Sequence, residues 1–142
     1  MLNKIIRNTL AIVGGLVIGS IVNMGLINCS GYFISPPDGV DLSTADGLKE
    51  GLHLFELKHF IFPFLAHALG TLVGAFVATI LAVNHKFKFA LTIGILFLFG
   101  GISASVVLPS PVWFIVIDLV FGYIPMAILG FKLVRIKPKE EN

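Results

Sequence analysis

"FIFPFLAHALGTLVGAFVATILAV", Phe60 to Val83, decides the fold class. It carries one titratable group, His67, and it is as long as the roughly 20 residues that a helix needs to cross a bilayer core of about 30 Å. Three more runs share its character. Thr9 to Ile27 and Phe89 to Leu108 carry no charge, and Val112 to Phe131 carries only Asp118. None alternates apolar with polar residues as a strand of a closed barrel would. Only 13% of the chain is charged and its mean hydropathy is +0.97, whereas a soluble domain carries about 25% charged residues. The expectation is an all-α membrane protein in which residues 1–142 form one domain. Its four-transmembrane-helix bundle has spans at about 9–28, 60–83, 89–108 and 112–131.

The basic residues orient the bundle. Lys4 and Arg7 precede the first span, Lys86 and Lys88 occupy the second loop, and Lys132, Arg135, Lys137 and Lys139 follow the fourth. Eight of the 10 Lys and Arg therefore fall on one side, which places the termini and second loop in the cytoplasm and residues 31–58 outside. A bias this strong argues against dual topology. It also argues against likeness to the small four-helix multidrug exporters, whose first helix holds a membrane carboxylate that is missing here. The positive charges sit in short clusters beside spans, so the partner they imply is the lipid bilayer and not nucleic acid. A lone cysteine, Cys29, excludes an internal disulfide framework and a CxxC pair. "LINC" (Leu26 to Cys29) has the outline of a lipoprotein cleavage box. Asn28, however, stands where that box demands a small residue, so the first span reads as an uncleaved helix.

Small residues recur four apart at Ala11, Gly15, Gly19 and Asn23, and again at Ala66, Gly70, Gly74 and Ala78. In lipid, packing drives helix association and such stripes let backbones approach closely. They would serve a tight bundle or a homo-oligomer equally well. Trp113 suits an interfacial anchor at the start of the fourth span.

The outer loop, Gly31 to Lys58, opens with turn chemistry in "SPPDGVD" (Ser35 to Asp41). "STAD" then offers Ser43 as an N-cap with Asp46 three positions later, predicting a short amphipathic helix from Thr44 to about His59. Its Leu48, Leu52 and Phe55 share one side, which suits a helix lying in the membrane interface. His53, Glu56 and His59 are spaced by three and share a broad face. That donor set would take zinc or iron, and "ELKH" has the Glu-x-x-His spacing of carboxylate-bridged di-iron bundles. The second motif and extra glutamates of those bundles are absent, so solvated interfacial polarity or a substrate-facing lid are the competing readings, and no cofactor is firmly implied.

A second constellation emerges from depth. His67 and Asp118 each lie about seven residues below the outer start of their spans, roughly 10 Å at 1.5 Å per residue. Asn23, Ser103 and Ser105 fall at similar depth in the other two. Charged groups inside a membrane usually face the bundle interior, pair with one another and mark function. The expectation is a His67–Asp118 pair with Asn23 and a serine completing its hydrogen bonds, serving either as a ligand-binding centre or as a structural clamp. Gly70, Thr71, Gly122 and Pro125 beside the pair would leave room for a ligand. No HExxH, phosphate-cradling loop, bis-histidine haem pair or nucleophile elbow is present, so an enzyme is the less favoured class.

"HFIFPFLAHALGTLVGAFVA" (His59 to Ala78), preceded by "VNMGLI" (Val22 to Ile27), resembles small uncharacterised four-helix membrane proteins of bacteria. The resemblance implies a multi-pass protein of the bacterial inner membrane and no activity. Three function classes follow from the residues. The first is a small permease or ion or proton pathway component with an outer-leaflet polar pocket. The second is an accessory or assembly protein with a structural clamp. The third is a membrane enzyme or metal-binding protein using the pocket. The inner halves of the spans, such as Ile12 to Val17 and Phe89 to Ile93, are apolar, which favours a vestibule over an open channel.

Overall fold

The computed structural model describes residues 2–135, so Lys137 and Lys139 of the last basic cluster lie outside the described residues. The described chain is helical without strands. In order it forms α1 (Leu2–Phe33), α2 (Ala45–Gly51), two short 3₁₀ turns (Leu52–Leu54 and Leu57–Phe60), α3 (Ile61–Leu81), α4 (Lys86–Val107), α5 (Val112–Phe121) and α6 (Ile124–Arg135). Four helical segments are long and apolar enough to cross a membrane, which suggests a multi-pass membrane protein. α1 exceeds its expected span at both ends and runs through Cys29, which is exposed.

α3 is the central helix and packs on α1, α4 and α6. Its contact with α1 depends on glycine. A Cβ on Gly15 would stand 2.7 Å from the Gly74 carbonyl oxygen, and one on Gly19 would stand 2.6 Å from that of Gly70. The two small-residue stripes therefore face each other within one chain, where backbone meets backbone.

Between the two ends of the bundle the packing differs. Towards the tight α3–α4 turn, Ala75, Ala78, Ala90, Ile93 and Ala127 are fully buried and form a continuous apolar core. Asn8 fastens α1 to that turn, accepting from the Val83 N–H at 3.0 Å and donating to the Asn84 side chain at 2.9 Å. At the opposite end, which carries the long loop, Leu52, Phe60 and Phe114 make a smaller aromatic cluster.

Two expectations need correction. The loop helix is shorter than Thr44 to His59 and begins one residue later than a Ser43 cap requires. Thr44 is the N-cap and accepts from the Gly47 N–H at 3.0 Å, while Ser43 donates to Asp41 instead. The glycines explain the early end. Gly47 lies against the Asp41 carbonyl and Gly51 against Val40, so the returning loop packs where side chains would stand. The chain then turns through 3₁₀ geometry and is extended at Phe55 and Glu56.

The fourth span is also not one helix. α5 ends at Phe121 and α6 starts at Ile124. Pro125 lacks the N–H that would reach the Phe121 carbonyl, and its ring would collide with that carbonyl in a continuous helix. The ladder instead ends with Gly122 donating to Asp118 at 2.7 Å and resumes with Ala127 donating to Tyr123 at 2.9 Å.

The close α1–α3 approach makes a paired prediction. Gly19→Ala should lower stability by about 1–3 kcal/mol through overpacking. Gly25→Ala, on the same helix with nothing within 4 Å of the new Cβ, should be neutral or stabilising by up to about 1 kcal/mol. Thermal unfolding in detergent reads both, and equal effects would contradict the glycine contact.

Candidate functional site

His67 sits two turns into α3 and Asp118 two turns into α5, which brings them to one level across the bundle. The imidazole Nδ1 lies 2.8 Å from Asp118 Oδ1 and 2.9 Å from Oδ2. Asp118 is 3% exposed, so this is a carboxylate removed from solvent and not a surface ion pair. The second donor to it is Tyr123, whose hydroxyl reaches Oδ2 at 3.0 Å. The Tyr123 ring is itself 1% exposed and stacks on the imidazole at 5.7 Å between centroids.

Tyr123 escaped the sequence reading for a geometric reason. Five residues along a continuous helix would turn it roughly 140° away from Asp118. The break between α5 and α6 allows it to return. Gly101 on α4 completes the arrangement, because any Cβ there would stand in the Tyr123 ring. The signal that could have found it was Gly122 and Pro125 flanking a tyrosine.

The remaining members of the expected layer separate. Asn23 packs its Cβ against Gly70, one turn from His67, and among the described residues no hydrogen bond joins it to the pair. Ser105 is half-buried and lines the same cavity as the pair, but its hydroxyl donates to the Gly101 carbonyl at 2.9 Å. Ser103 is exposed and donates to the Phe99 carbonyl at 2.9 Å. Serine satisfies itself locally on a helix in this way, so depth alone did not make these hydroxyls partners of Asp118. Thr71, one turn below His67, is fully buried, and its hydroxyl has no hydrogen-bond partner among the described residues.

The pair forms part of the wall of a cavity of about 160 Å³ at the loop end. Phe60, Phe114, Ala104 and Leu108 give it apolar walls. The surface segment covers it with Leu48, Leu52 and Phe55, the apolar side expected to face the bundle or lipid. Chemistry at the site follows from the hydrogen bonds. When the carboxylate accepts from Nδ1–H, Nε2 is the ring nitrogen left over, carrying a lone pair in a neutral ring and a second N–H in an imidazolium. No protein group among the described residues bonds Nε2, so a ligand or a proton can be taken there.

His53, Glu56 and His59 do not gather around one point. His53 Nδ1 meets the Glu50 carbonyl at 2.7 Å. His59 Nδ1 accepts from the Glu56 N–H at 2.9 Å, which leaves Nε2–H to donate to the Ser35 carbonyl at 3.1 Å. Glu56 pairs with Lys58 at 3.0 Å, and that hydrogen bond and charge hold its carboxyl below the usual range. Asp41 is likewise lowered, by the Ser43 hydroxyl and N–H. These side chains cap turns, and among the described residues no three His, Cys, Asp or Glu form a group that could hold a metal.

Comparison with known proteins returns no matching family model, no matching curated protein and no matching solved structure, so the function rests on the site itself.

Stability separates the observed site from the expected layer. Tyr123→Phe and Asp118→Asn should each cost about 0.6–2 kcal/mol, the range of interhelical hydrogen bonds in membranes, and the double change should cost less than their sum. Ser103→Ala should stay within about 0.5 kcal/mol of wild type. Additive losses at Tyr123 and Asp118, read by thermal unfolding, would contradict their coupling.

Proposed function

We propose that the protein is a small permease or proton-pathway component whose working site is the loop-end cavity, with the His67–Asp118 pair taking up and releasing a proton. The observation that carries this reading is the buried Asp118 carboxylate, held by His67 and Tyr123 at a cavity beside a broken membrane helix. A carboxylate is costly in hydrocarbon and is kept there chiefly for function. Discontinuous helices are tolerated at that depth where they line a cavity, and transporters build ion and substrate sites from them. The apolar core around Ala78 and Ile93 closes the far side. Passage through the bundle therefore requires a rearrangement, for which the α5–α6 break is the natural hinge. Thr71, whose hydroxyl has no partner among the described residues, lies one turn beyond His67 on α3.

The setting we propose is a bacterial inner membrane with cytoplasmic termini and the cavity opening outward, supported by the placement of Lys and Arg. The glycine stripes are used within one chain, so a homo-oligomer would need another face. A second reading, an accessory protein with a structural clamp, draws support from Asp118 being satisfied by two internal donors.

Proteoliposomes loaded with a pH-sensitive dye distinguish the two. A pH gradient should produce protein-dependent proton flux, reduced about tenfold or more by Asp118→Asn and by His67→Ala in variants that remain folded. In the same system, with Cys29→Ser as background, Asp41→Cys should label from the loop side and Lys86→Cys should not. Flux unchanged in both site variants, or absent in the wild type, would contradict the proposal.

A further inference from the structure

We propose that the cavity binds a small single-ring amine in its protonated form, with the ammonium on His67 Nε2 and the ring against Phe60 and Phe114. This rests on the cavity being the working site and names its substrate class.

Charge is the first argument. With Asp118 ionised and His67 neutral, the cavity wall carries one uncompensated negative charge among apolar side chains. Two species cancel it: a proton on Nε2, or a monovalent cation that donates a hydrogen bond to Nε2. An anion would add to the charge, and a neutral ligand would leave it unbalanced. The loop above the cavity points the same way. Asp38, Asp41, Asp46, Glu50 and Glu56 stand there against Lys49 and Lys58, so the approach favours cations.

Shape is the second. A dry cavity of about 150 Å³ in another protein accepts a benzene-sized ligand, and this one measures about 160 Å³. Its walls include Phe55, Phe60 and Phe114, faces that suit both an aromatic ring and a nearby cation. An ammonium group on a one-ring body satisfies both ends of the cavity together.

Proton and amine then compete. Protonating Nε2 turns the pair into a neutral imidazolium–carboxylate and replaces the lone pair with a donor that repels an ammonium. The groups facing the imidazole are Asp118 from α5 and Tyr123 from the break. Ser105 of α4 and Ile27 of α1 bring no charge to the cavity, and the surface segment turns Leu48, Leu52 and Phe55 towards it. Amine and proton therefore exclude each other at Nε2, and amine binding should weaken as the proton concentration rises.

Benzylamine, benzyl alcohol and benzoate have nearly one shape and differ in charge. Binding to the full-length protein in detergent is measured by calorimetry and by the fluorescence of Trp113, the chain's single tryptophan, which packs edge-on against Phe60. Benzylamine should bind at pH 8, weaken as the pH is lowered, and be lost in Asp118→Asn. Ala104→Phe, which puts a ring into the cavity while keeping both members of the pair in the chain, should abolish binding as well, so the result does not hang on the folding of one variant. Benzyl alcohol binding as well as benzylamine, or benzoate binding better in acid, would overturn the cation assignment while leaving the cavity as a ligand site. No binding of any probe with dye-detected proton flux intact would overturn this inference alone. Loss of both would remove the proposed function with it.

Discussion

Asp118 is the constraint around which the fourth span is built. A carboxylate in an apolar bundle must be neutralised or given donors, and one helix face cannot supply enough of them. α3 supplies His67. The second donor comes from the chain immediately following Asp118, but only because the helix stops at Phe121 and restarts at Ile124. The break, the buried tyrosine and the bare Gly101 backbone on α4 answer one electrostatic requirement together. Pro125 makes the break, and the carboxylate puts it to use by taking the hydroxyl of the tyrosine that the break returns.

The two ends of the bundle divide the labour. Backbone-to-backbone contact of α1 on α3 and the alanine-rich core near the tight turn make one end dense and dry. At the loop end larger aromatic residues meet less completely, and the surface segment closes over the space that remains. A polar pair placed at that end is reachable by a ligand, whereas the same pair among the alanines would be sealed.

The number of long apolar helices, the helix-packing stripes and the His67–Asp118 pairing were legible in the sequence. Each follows from a rule that acts along one helix or at one depth: length against bilayer thickness, spacing by four, and the cost of a lone charge. What depends on how the chain departs from regular helix was not legible. Tyr123 could be found only by treating Pro125 as a break, and Asn23 and Ser103 share the depth of the pair without sharing its direction. The loop helix shows the same limit. The apolar side of the loop segment, Leu48, Leu52 and Phe55, was readable, but the early end of the helix arises from Val40 and Asp41 packing on Gly51 and Gly47, a contact between segments. His53, Glu56 and His59 have a metal-like spacing that presupposes one helix, and the extended backbone at Glu56 breaks that premise.

The central claim is that Asp118 holds the His67 ring through Nδ1–H, which leaves Nε2 open to a proton or a ligand. Nitrogen-15 NMR of labelled imidazoles reads this directly, in a chain where His53, His59 and His85 are replaced by glutamine so that one ring remains. The spectrum at high pH should show the Nδ1–H tautomer and should convert reversibly to imidazolium on acidification, with the tautomer preference lost in Asp118→Asn. A ring in the Nε2–H tautomer, or one whose signals do not change with pH while the protein stays folded, would contradict the account.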